Sequence, residues 1–294
     1  MVVNSPDPYF ANSLFSPLLP AALLYTTVSN IIAFCLKPIP VLRLTKERLQ
    51  SKYCFEPKGA QIAIVTGSNT GIGFETASAL VERGYDVIMA CRSRDKGESA
   101  ANHINKCATT EKRNSGSETT VCPGKAIFIQ PLDLSSFSSI RSFATVFKAQ
   151  YSALNILVNN AGINTTGKSA DGHELCFQTN FLGHFLLTQL LLPELLKAKN
   201  FYPGDSEKEE AGRIVNLSSV THHFARADEV RTQTEVMNQS GRHDEEWWKG
   251  CATFGVSENT YKESKLASAL FTLELNKRYG KEGLRAMTAN PGAV

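Results

Sequence analysis

Short apolar runs alternate with segments of helical spacing along most of this chain, and this alternation restricts the fold more than any other feature. Each run has five to seven residues, rich in Val, Ile and Ala, which is typical of buried strands. The runs lie at 61–66, 86–91, 125–130, 155–159, 213–218 and 284–290. Strands separated by helices predict βαβ units and a parallel sheet covered on both faces. Right-handed crossovers then predict a Rossmann-like, doubly wound α/β fold.

Helices are predicted between these strands, and polar stretches interrupt the alternation at three places. The predicted helices cover 74–83, 96–106, 135–150, 171–199 and 259–279. The polar stretches cover 108–124, 200–212 and 225–249, and each is interpreted as a surface insertion because it lies at a junction between elements. In the third, the pair Trp247-Trp248 would either line an apolar substrate mouth or anchor the loop.

The first sixty residues have the composition of an attachment segment. Residues 14–36 contain no charged side chain, and their 23 positions are enough for a spanning helix. Basic residues follow this segment, whereas Asp7 is the one charged side chain before it, which favours a cytoplasmic location for the rest of the chain. We therefore expect a membrane anchor or interfacial helix with a basic linker over 1–57. The alternative interpretation is an apolar arm that packs on the domain or on a partner.

Charge and cysteine usage exclude several classes of protein. Lys and Arg total 31 and Asp and Glu total 28, so the chain has no electrostatic basis for wrapping nucleic acid. The seven cysteines form no CxxC pair, which favours free thiols in a reducing compartment. His184, His222 and His223 lack metal-ligand spacing. We interpret them as structural or surface histidines and expect no metal site.

A glycine-rich turn between the first strand and the first helix indicates a dinucleotide site. The segment 66–73 reads TGSNTGIG. In such a turn Gly67 permits the tight exit from the strand, Gly71 lets the backbone approach a pyrophosphate, and Gly73 lets helix and sheet pack closely. The helix N-terminus offers free N–H groups to the phosphates. A bare strand-to-helix turn is the alternative.

The end of the second strand bears on which dinucleotide binds. An NAD enzyme typically places Asp or Glu there for the ribose 2′-hydroxyl. Here the position nineteen residues beyond Gly73 is Arg92, and no carboxylate follows until Asp95. A guanidinium binds a 2′-phosphate through charge-assisted hydrogen bonds. The sequence therefore predicts NADP(H), with Arg92 as the leading contact, and a solvated basic turn is the alternative.

Catalytic candidates come from the second half of the chain. Tyr261 and Lys265 are four residues apart at the start of a predicted helix and share one face. An ammonium close to a phenol favours the phenolate, so that the pair would exchange a proton with a carbonyl or alcohol oxygen. The spacing also arises by chance. The segments 159–162 (NNAG), Asn180 and Ser218-Ser219 add weight, because they follow strands where open α/β sheets bind ligands.

The ordered motifs resemble those of the short-chain dehydrogenases/reductases. TGSNTGIG, NNAG, NFLGHF, VNLSS, YKESK and NPGAV occur in the order typical of that family. ACRSRDKG and SKLASALFTLEL resemble the branch that contains the retinol dehydrogenases and the WW-domain oxidoreductase. The resemblance covers residues 58–294, which we take as the nucleotide-binding domain.

This resemblance implies roles for individual residues. Tyr261 would be the general acid/base, Ser219 would hold the substrate oxygen, Lys265 would bind the nicotinamide ribose, and Asn180 would hold a water in the proton relay. Asp133 matches the family's adenine contact. The residues expected to contact NADP(H) are Gly67, Ser68, Asn69, Gly71, Ile72, Gly73, Arg92, Asp133, Leu134, Asn159, Ala161, Gly162, Tyr261, Lys265, Pro291 and Gly292.

Two departures from the family accompany this expectation. Ser219 and Tyr261 are 42 positions apart, so the intervening insertion must loop out. The chain stops at Val294, where relatives continue through a substrate-covering segment, and we expect a sheet truncated after its sixth strand. The implied function is a membrane-associated NADP(H)-dependent oxidoreductase, at the endoplasmic reticulum, acting on a small lipophilic substrate. A catalytically impaired nucleotide- or partner-binding protein, a reductase of a conjugated ring system, and a homo-oligomer stay open.

Overall fold

The computed structural model describes residues 61–114, 124–198, 200–202, 205–225 and 260–291. Its strands are β1 Gln61–Thr66, β2 Tyr85–Ala90, β3 Ala126–Ile127, β4 Ile156–Asn159, β5 Asn200–Tyr202, β6 Asp205–Glu210, β7 Arg213–Leu217 and β8 Arg285–Ala289. Its helices are α1 Gly71–Glu82, α2 Arg94–Asn114, α3 Phe137–Gln150, α4 Leu175–Lys197 and α5 Tyr261–Tyr279. Short 3₁₀ turns cover Val220–Phe224 and Gly280–Glu282.

Six strands form one parallel sheet in the order β3-β2-β1-β4-β7-β8. The chain first runs outward from β1 to β3, then returns to β4 beside β1 and runs outward on the other side. This confirms the predicted Rossmann-like, doubly wound α/β fold. The order reverses between β1 and β4, and a crevice at the carboxyl ends of these strands is where such sheets bind ligands.

Alternating strand residues supply two apolar cores, one on each face of the sheet. In β1, Ile62 and Ile64 pack with the apolar side chains of α3, α4 and α5. The intervening Ala63 and Val65 pack with those of α1 and α2. Every residue of β1 is buried, because a parallel strand covered on both faces has no solvent-facing side.

Several predicted boundaries of helices and strands are wrong. Helix α2 continues to Asn114, into the stretch interpreted as a surface insertion, because residues 108–114 contain no Gly or Pro that would end it. Strand β3 has only two residues, and the Asn105 side chain bonds both the N–H and the carbonyl of the first of them, Ala126. Helix α4 begins at Leu175, where the Glu174 carboxylate caps it by accepting from the N–H of Phe177 at 2.6 Å.

The polar stretch 200–212 holds a small antiparallel hairpin, β5–β6, where only a surface insertion was predicted. The predicted anchor at 14–36, the boundary at 57/58, the Trp247-Trp248 pair and Gly292 lie outside the described residues. Among the described residues, α4 is the one helix long and apolar enough to cross a membrane. More than half of its most apolar stretch is buried, as in the core helix of a globular domain.

Candidate active site

The glycine-rich turn connects the carboxyl end of β1 to α1 and leaves room for a ligand backbone to approach. Gly67 and Gly71 have φ values of +64° and +57°, in the left-handed region that favours glycine. A Cβ on Gly73 would lie 2.4 Å from the carbonyl oxygen of Gly67. No acidic side chain lies in the first turn of α1. The free N–H groups of this helix end therefore fit a pyrophosphate.

Hydrogen bonds between Thr66 and the NNAG segment hold the start of this turn. The Thr66 hydroxyl oxygen accepts from the N–H groups of Asn160 and Ala161 at 2.9 and 3.0 Å. The Asn160 side-chain amide donates to the Thr66 carbonyl at 2.8 Å. Neither the Asn160 side chain nor the Thr66 side chain was predicted from the sequence to have a role here. The two adjacent Asn residues of the motif were the sequence feature from which this role could have been predicted.

The end of β2 presents one cation that is open to a ligand. Arg92 is exposed and has no ion pair among the described residues. Arg94 instead pairs with Glu98 at 2.9 Å and lies over the ring of Phe128. Arg92 is therefore the guanidinium available for a 2′-phosphate.

Two predicted cofactor contacts have side chains that are occupied elsewhere. Ser68 is fully buried, with its hydroxyl 3.4 Å from the Cys91 thiol, whose pKa is raised by burial. The Asn159 amide donates to Thr188 at 3.1 Å and to Asn216 at 2.7 Å. At Ser68 and Asn159 the main chain alone remains for a cofactor.

Asp133 lies in the turn that follows β3. One carboxylate oxygen accepts from the N–H of Ser135 at 2.9 Å and from its hydroxyl at 2.6 Å. The neighbouring Leu134 is buried and packs against Gly183 of α4. Asp133 thus shapes its own turn, and its second oxygen is the one left for an adenine amine.

Asn180 lies in a π-helical turn, Gln178–Leu182, within α4. Its side-chain oxygen accepts from the N–H of Ile163 at 2.8 Å, and its amide donates to the Ile163 carbonyl at 2.9 Å. The amide also lies 3.1 Å from the Ser264 hydroxyl on α5. These bonds hold the loop after β4, the π turn and α5 together. A water on Asn180 would consequently use the main-chain carbonyl.

Lys265 brings α5 to the end of β7. Its ammonium donates to the Leu217 carbonyl at 3.0 Å and lies 5.5 Å from the centre of the Tyr261 ring. Burial lowers the pKa of Lys265 to about 8. A Cβ on Gly162 would lie 3.4 Å from both the Lys265 Nζ and the Asn180 side-chain oxygen, so the segment 159–162 packs directly over this centre.

The two serines after β7 have different roles. The Ser218 hydroxyl donates to the main-chain carbonyl of Lys265 at 2.9 Å and is buried. The Ser219 hydroxyl caps the 3₁₀ turn by accepting from the N–H of Thr221 at 3.3 Å. Its hydrogen is not used within the described part of the chain. The Ser219 hydroxyl can therefore donate to a substrate oxygen, which is the role predicted for it from the family resemblance.

Other features lie apart from this centre. An apolar cavity of about 500 Å³ between α3, α4 and α5 is lined by Phe137, Phe185, Phe271 and Tyr279, and no predicted site residue contributes to it. The described residues include no group of three or more His, Cys, Asp or Glu side chains that could hold a metal ion. Cys91, Cys107 and Cys176 are free thiols.

Comparison with known proteins decides the family. Residues 61–229, more than half of the chain, match the short chain dehydrogenase family. The chain belongs to this family. Retinol dehydrogenase 11 of Mus musculus is 40% identical over 237 residues, which cover 80% of this chain and 61% of that protein. Dehydrogenase/reductase SDR family member 13 of Bos taurus is 34% identical over 232 residues, which cover 79% and 51%.

These relatives confirm the predicted family and its retinol dehydrogenase-like branch. The chain spans about three fifths of the length of the retinol dehydrogenases that it matches. A crystal structure from Mycobacterium paratuberculosis is 34% identical, with a TM-score of 0.53, and covers 79% of this chain and 68% of its own. The Pseudomonas aeruginosa RhlG/NADP complex, at 24% identity and a TM-score of 0.53, shares the fold over 79% and 71% of the two chains.

Proposed function

We propose that this protein is an NADP(H)-dependent oxidoreductase that moves a hydride between nicotinamide and the carbonyl or alcohol carbon of a small lipophilic substrate. The observation that carries the proposal is the buried Lys265 ammonium, which lies beside the Tyr261 ring and is bound to the strand that leads to Ser219. Membership of the short chain dehydrogenase family supports the reaction class, and similarity to retinol dehydrogenases supports a lipophilic substrate.

The residues present fit NADP(H). The N-terminus of α1 would hold the pyrophosphate, Arg92 would pair with the 2′-phosphate, and the open oxygen of Asp133 would accept from the adenine amine. Tyr261 and Lys265 would lie against the nicotinamide ribose. When bound, the reduced cofactor supplies a hydride from C4 of its nicotinamide.

Side chains of this protein would transfer the proton. Ser219 would donate a hydrogen bond to the substrate oxygen and hold it near the Tyr261 phenol. In the reducing direction Tyr261 would give its proton to that oxygen, and the adjacent ammonium of Lys265 would stabilise the phenolate that remains. A water on the Asn180 carbonyl would return the proton from solvent. In the oxidising direction the phenolate would accept the alcohol proton.

The proposal also covers attachment of the protein to a membrane and its assembly into a homo-oligomer. The uncharged segment 14–36 and the basic residues after it support attachment to a membrane, with the catalytic domain on the cytoplasmic side. We place it at the endoplasmic reticulum because a lipophilic substrate partitions into such membranes. A homo-oligomer is compatible with this arrangement.

Turnover of the purified chain tests the proposal. We expect NADPH oxidation with at least one of retinal, a steroid ketone or a long-chain aldehyde, and a loss of about 100-fold or more in kcat for Tyr261→Phe. NADPH affinity should stay within a few-fold, because the phenyl ring remains. Tyr279→Phe, at the far end of the same helix, is the control and should keep its activity. NADPH binding without turnover of any substrate would instead indicate a nucleotide- or partner-binding protein.

A further inference from the structure

His184 is buried in α4, and both nitrogens of its ring are hydrogen-bonded. Nδ1 lies 2.9 Å from the main-chain carbonyl oxygen of Asn180, and Nε2 lies 2.9 Å from the Thr66 hydroxyl oxygen. The side chain is 4% exposed. The ring therefore joins the π turn of α4 to the end of β1, where the glycine-rich turn begins.

The partners determine which nitrogen carries the hydrogen. A carbonyl only accepts, so Nδ1 must donate to Asn180, and in a neutral ring Nε2 must then accept. The Thr66 hydroxyl donates its single hydrogen to Nε2, since the alternative acceptor, the Val158 carbonyl, is farther away at 3.3 Å. Both lone pairs of the same hydroxyl are used by the N–H groups of Asn160 and Ala161. Every donor and acceptor in this chain of bonds is matched.

The environment of the ring keeps it neutral. Burial, opposed by the bond to the Asn180 carbonyl and aided by the positive charge of Lys265, lowers the pKa of His184 to about 4. A neutral ring can use Nε2 as an acceptor, whereas an imidazolium would present a second N–H to Thr66. The tautomer and charge required by the hydrogen bonds are thus the ones that the surroundings favour.

We propose that His184 is a positioning residue, which fixes the Asn180 carbonyl relative to the cofactor turn and so places this carbonyl for the proton-relay water. This inference rests on the proposed function. A carbonyl oxygen has two lone pairs, and the ring of His184 uses one of them. Through Thr66 the same ring is bound to the NNAG segment that packs over Lys265. His184 acts through Asn180 and does not touch the reacting atoms.

The tautomer is measured on the full chain without cofactor. Nitrogen-15 NMR of histidine-labelled protein, with the His184 signals assigned by their loss in His184→Gln, reports the state of each ring nitrogen. We expect a proton on Nδ1, a nitrogen-15 chemical shift on Nε2 that is typical of an unprotonated nitrogen accepting a hydrogen bond, and no titration between pH 5.5 and 8. A proton on Nε2, or titration between pH 6 and 7, would overturn the proposal whatever the activity of the protein.

Kinetics of three variants separate positioning from packing. His184→Phe keeps a ring but loses both bonds, and we expect kcat to fall about 100-fold with KM changed less than threefold. His184→Gln can donate with its amide nitrogen and accept with its oxygen, so it should recover most of kcat. The exposed His103→Gln is the control and should match the wild type. Equal kcat losses in His184→Phe and His184→Gln would show a packing role and overturn the proposal.

Two further variants, both at Thr66, cover the case in which His184→Phe does not fold. Thr66→Val removes the hydroxyl that holds Nε2, whereas Thr66→Ser keeps it. We expect the solvent isotope effect on kcat to rise in Thr66→Val and to stay at the wild-type value in Thr66→Ser, because a loosened relay makes proton transfer limit the rate. An unchanged isotope effect in Thr66→Val would contradict the proposal. Absence of turnover in the wild type would refute the proposed function, while the NMR result would still decide the state of the ring.

Discussion

The Lys265 ammonium donates a 3.0 Å hydrogen bond to the main-chain carbonyl of Leu217. This bond ties the second turn of α5 to the last residue of β7, two positions before Ser219. It also keeps a positive charge in a buried place, with 5% of Lys265 exposed. Burial of a charge costs free energy, and the pKa of Lys265 is lowered to about 8 in consequence.

Replacement of Lys265 by Met should change how stability depends on pH. The unfolded chain holds the Lys265 proton up to its ordinary pKa of 10.5, whereas the folded protein releases it near 8. Between these values the unfolded state binds more protons, so the free energy of unfolding of the wild type rises with pH, by up to about 3 kcal/mol. Lys265→Met should lack this rise, as measured by urea unfolding without cofactor at pH 7.5 and 9.

The matched control is Lys262→Met, on the same helix but 42% exposed at its side chain. It should keep the wild-type slope. The Cys176 thiol, whose pKa burial raises to about 11, gives a slope of opposite sign above pH 9. Because the charge of Lys265 also acts on this thiol, the difference that develops between pH 7.5 and 9 is the part assigned to Lys265. Parallel curves for wild type and Lys265→Met would show that the ammonium is not buried as described.

Arg92→Asp should shift the coenzyme preference from NADPH toward NADH. The carboxylate would repel a 2′-phosphate and accept from a 2′-hydroxyl, and each lost charge-assisted bond is worth about 1.5–3 kcal/mol. We expect the ratio of NADPH to NADH dissociation constants to change by about tenfold or more, as measured by fluorescence titration. Arg94→Gln, which removes the guanidinium already paired with Glu98, should leave the ratio nearly unchanged. Equal effects of the two substitutions would remove Arg92 from this role.

Local sequence patterns predicted most of the fold and several contacts of the candidate site. The apolar runs predicted all six strands of the parallel sheet, and the spacing of Tyr261 and Lys265 predicted their shared helix face. The pairing of His184 with Thr66 joins residues 118 positions apart, and that of Asn160 with Thr66 joins residues 94 apart. Neither pairing has a local signature, because it depends on how α4 and the NNAG segment pack on β1. For the same reason Asn159, although it lies in a predicted motif, has its amide in the core.

The residue before Tyr261 anchors the start of α5 through a buried carboxylate. The Thr260 hydroxyl donates to the carboxylate of Glu174, which is 1% exposed. Thr260→Val keeps the shape of the side chain but removes this donor, and we expect the free energy of unfolding to fall by about 1–3 kcal/mol. Thr260→Ser should lose much less. The comparison is made by urea unfolding at pH 7, and equal losses in the two variants would assign the effect to packing of the methyl group.

Gly73→Ala tests whether the glycine-rich turn is as tightly packed as its geometry indicates. The added Cβ would lie 2.4 Å from the Gly67 carbonyl oxygen and 2.5 Å from the amide nitrogen of Asn160. The carbonyl belongs to the main chain and cannot turn aside, so α1 must move away from β1. We expect a loss of about 1–3 kcal/mol in the free energy of unfolding and a weaker NADPH affinity, because the N–H groups that face the pyrophosphate move with the helix.

Gly280→Ala provides the comparison for this substitution. A Cβ at Gly280 would meet no atom within 4 Å, and the residue has helical backbone angles that alanine adopts without strain. It should leave NADPH affinity unchanged and should maintain or slightly raise the free energy of unfolding, since alanine restricts the unfolded chain. The two variants differ in the space around the new methyl group and in their distance from the turn. Wild-type affinity in Gly73→Ala would mean that α1 and β1 are farther apart than this structure places them.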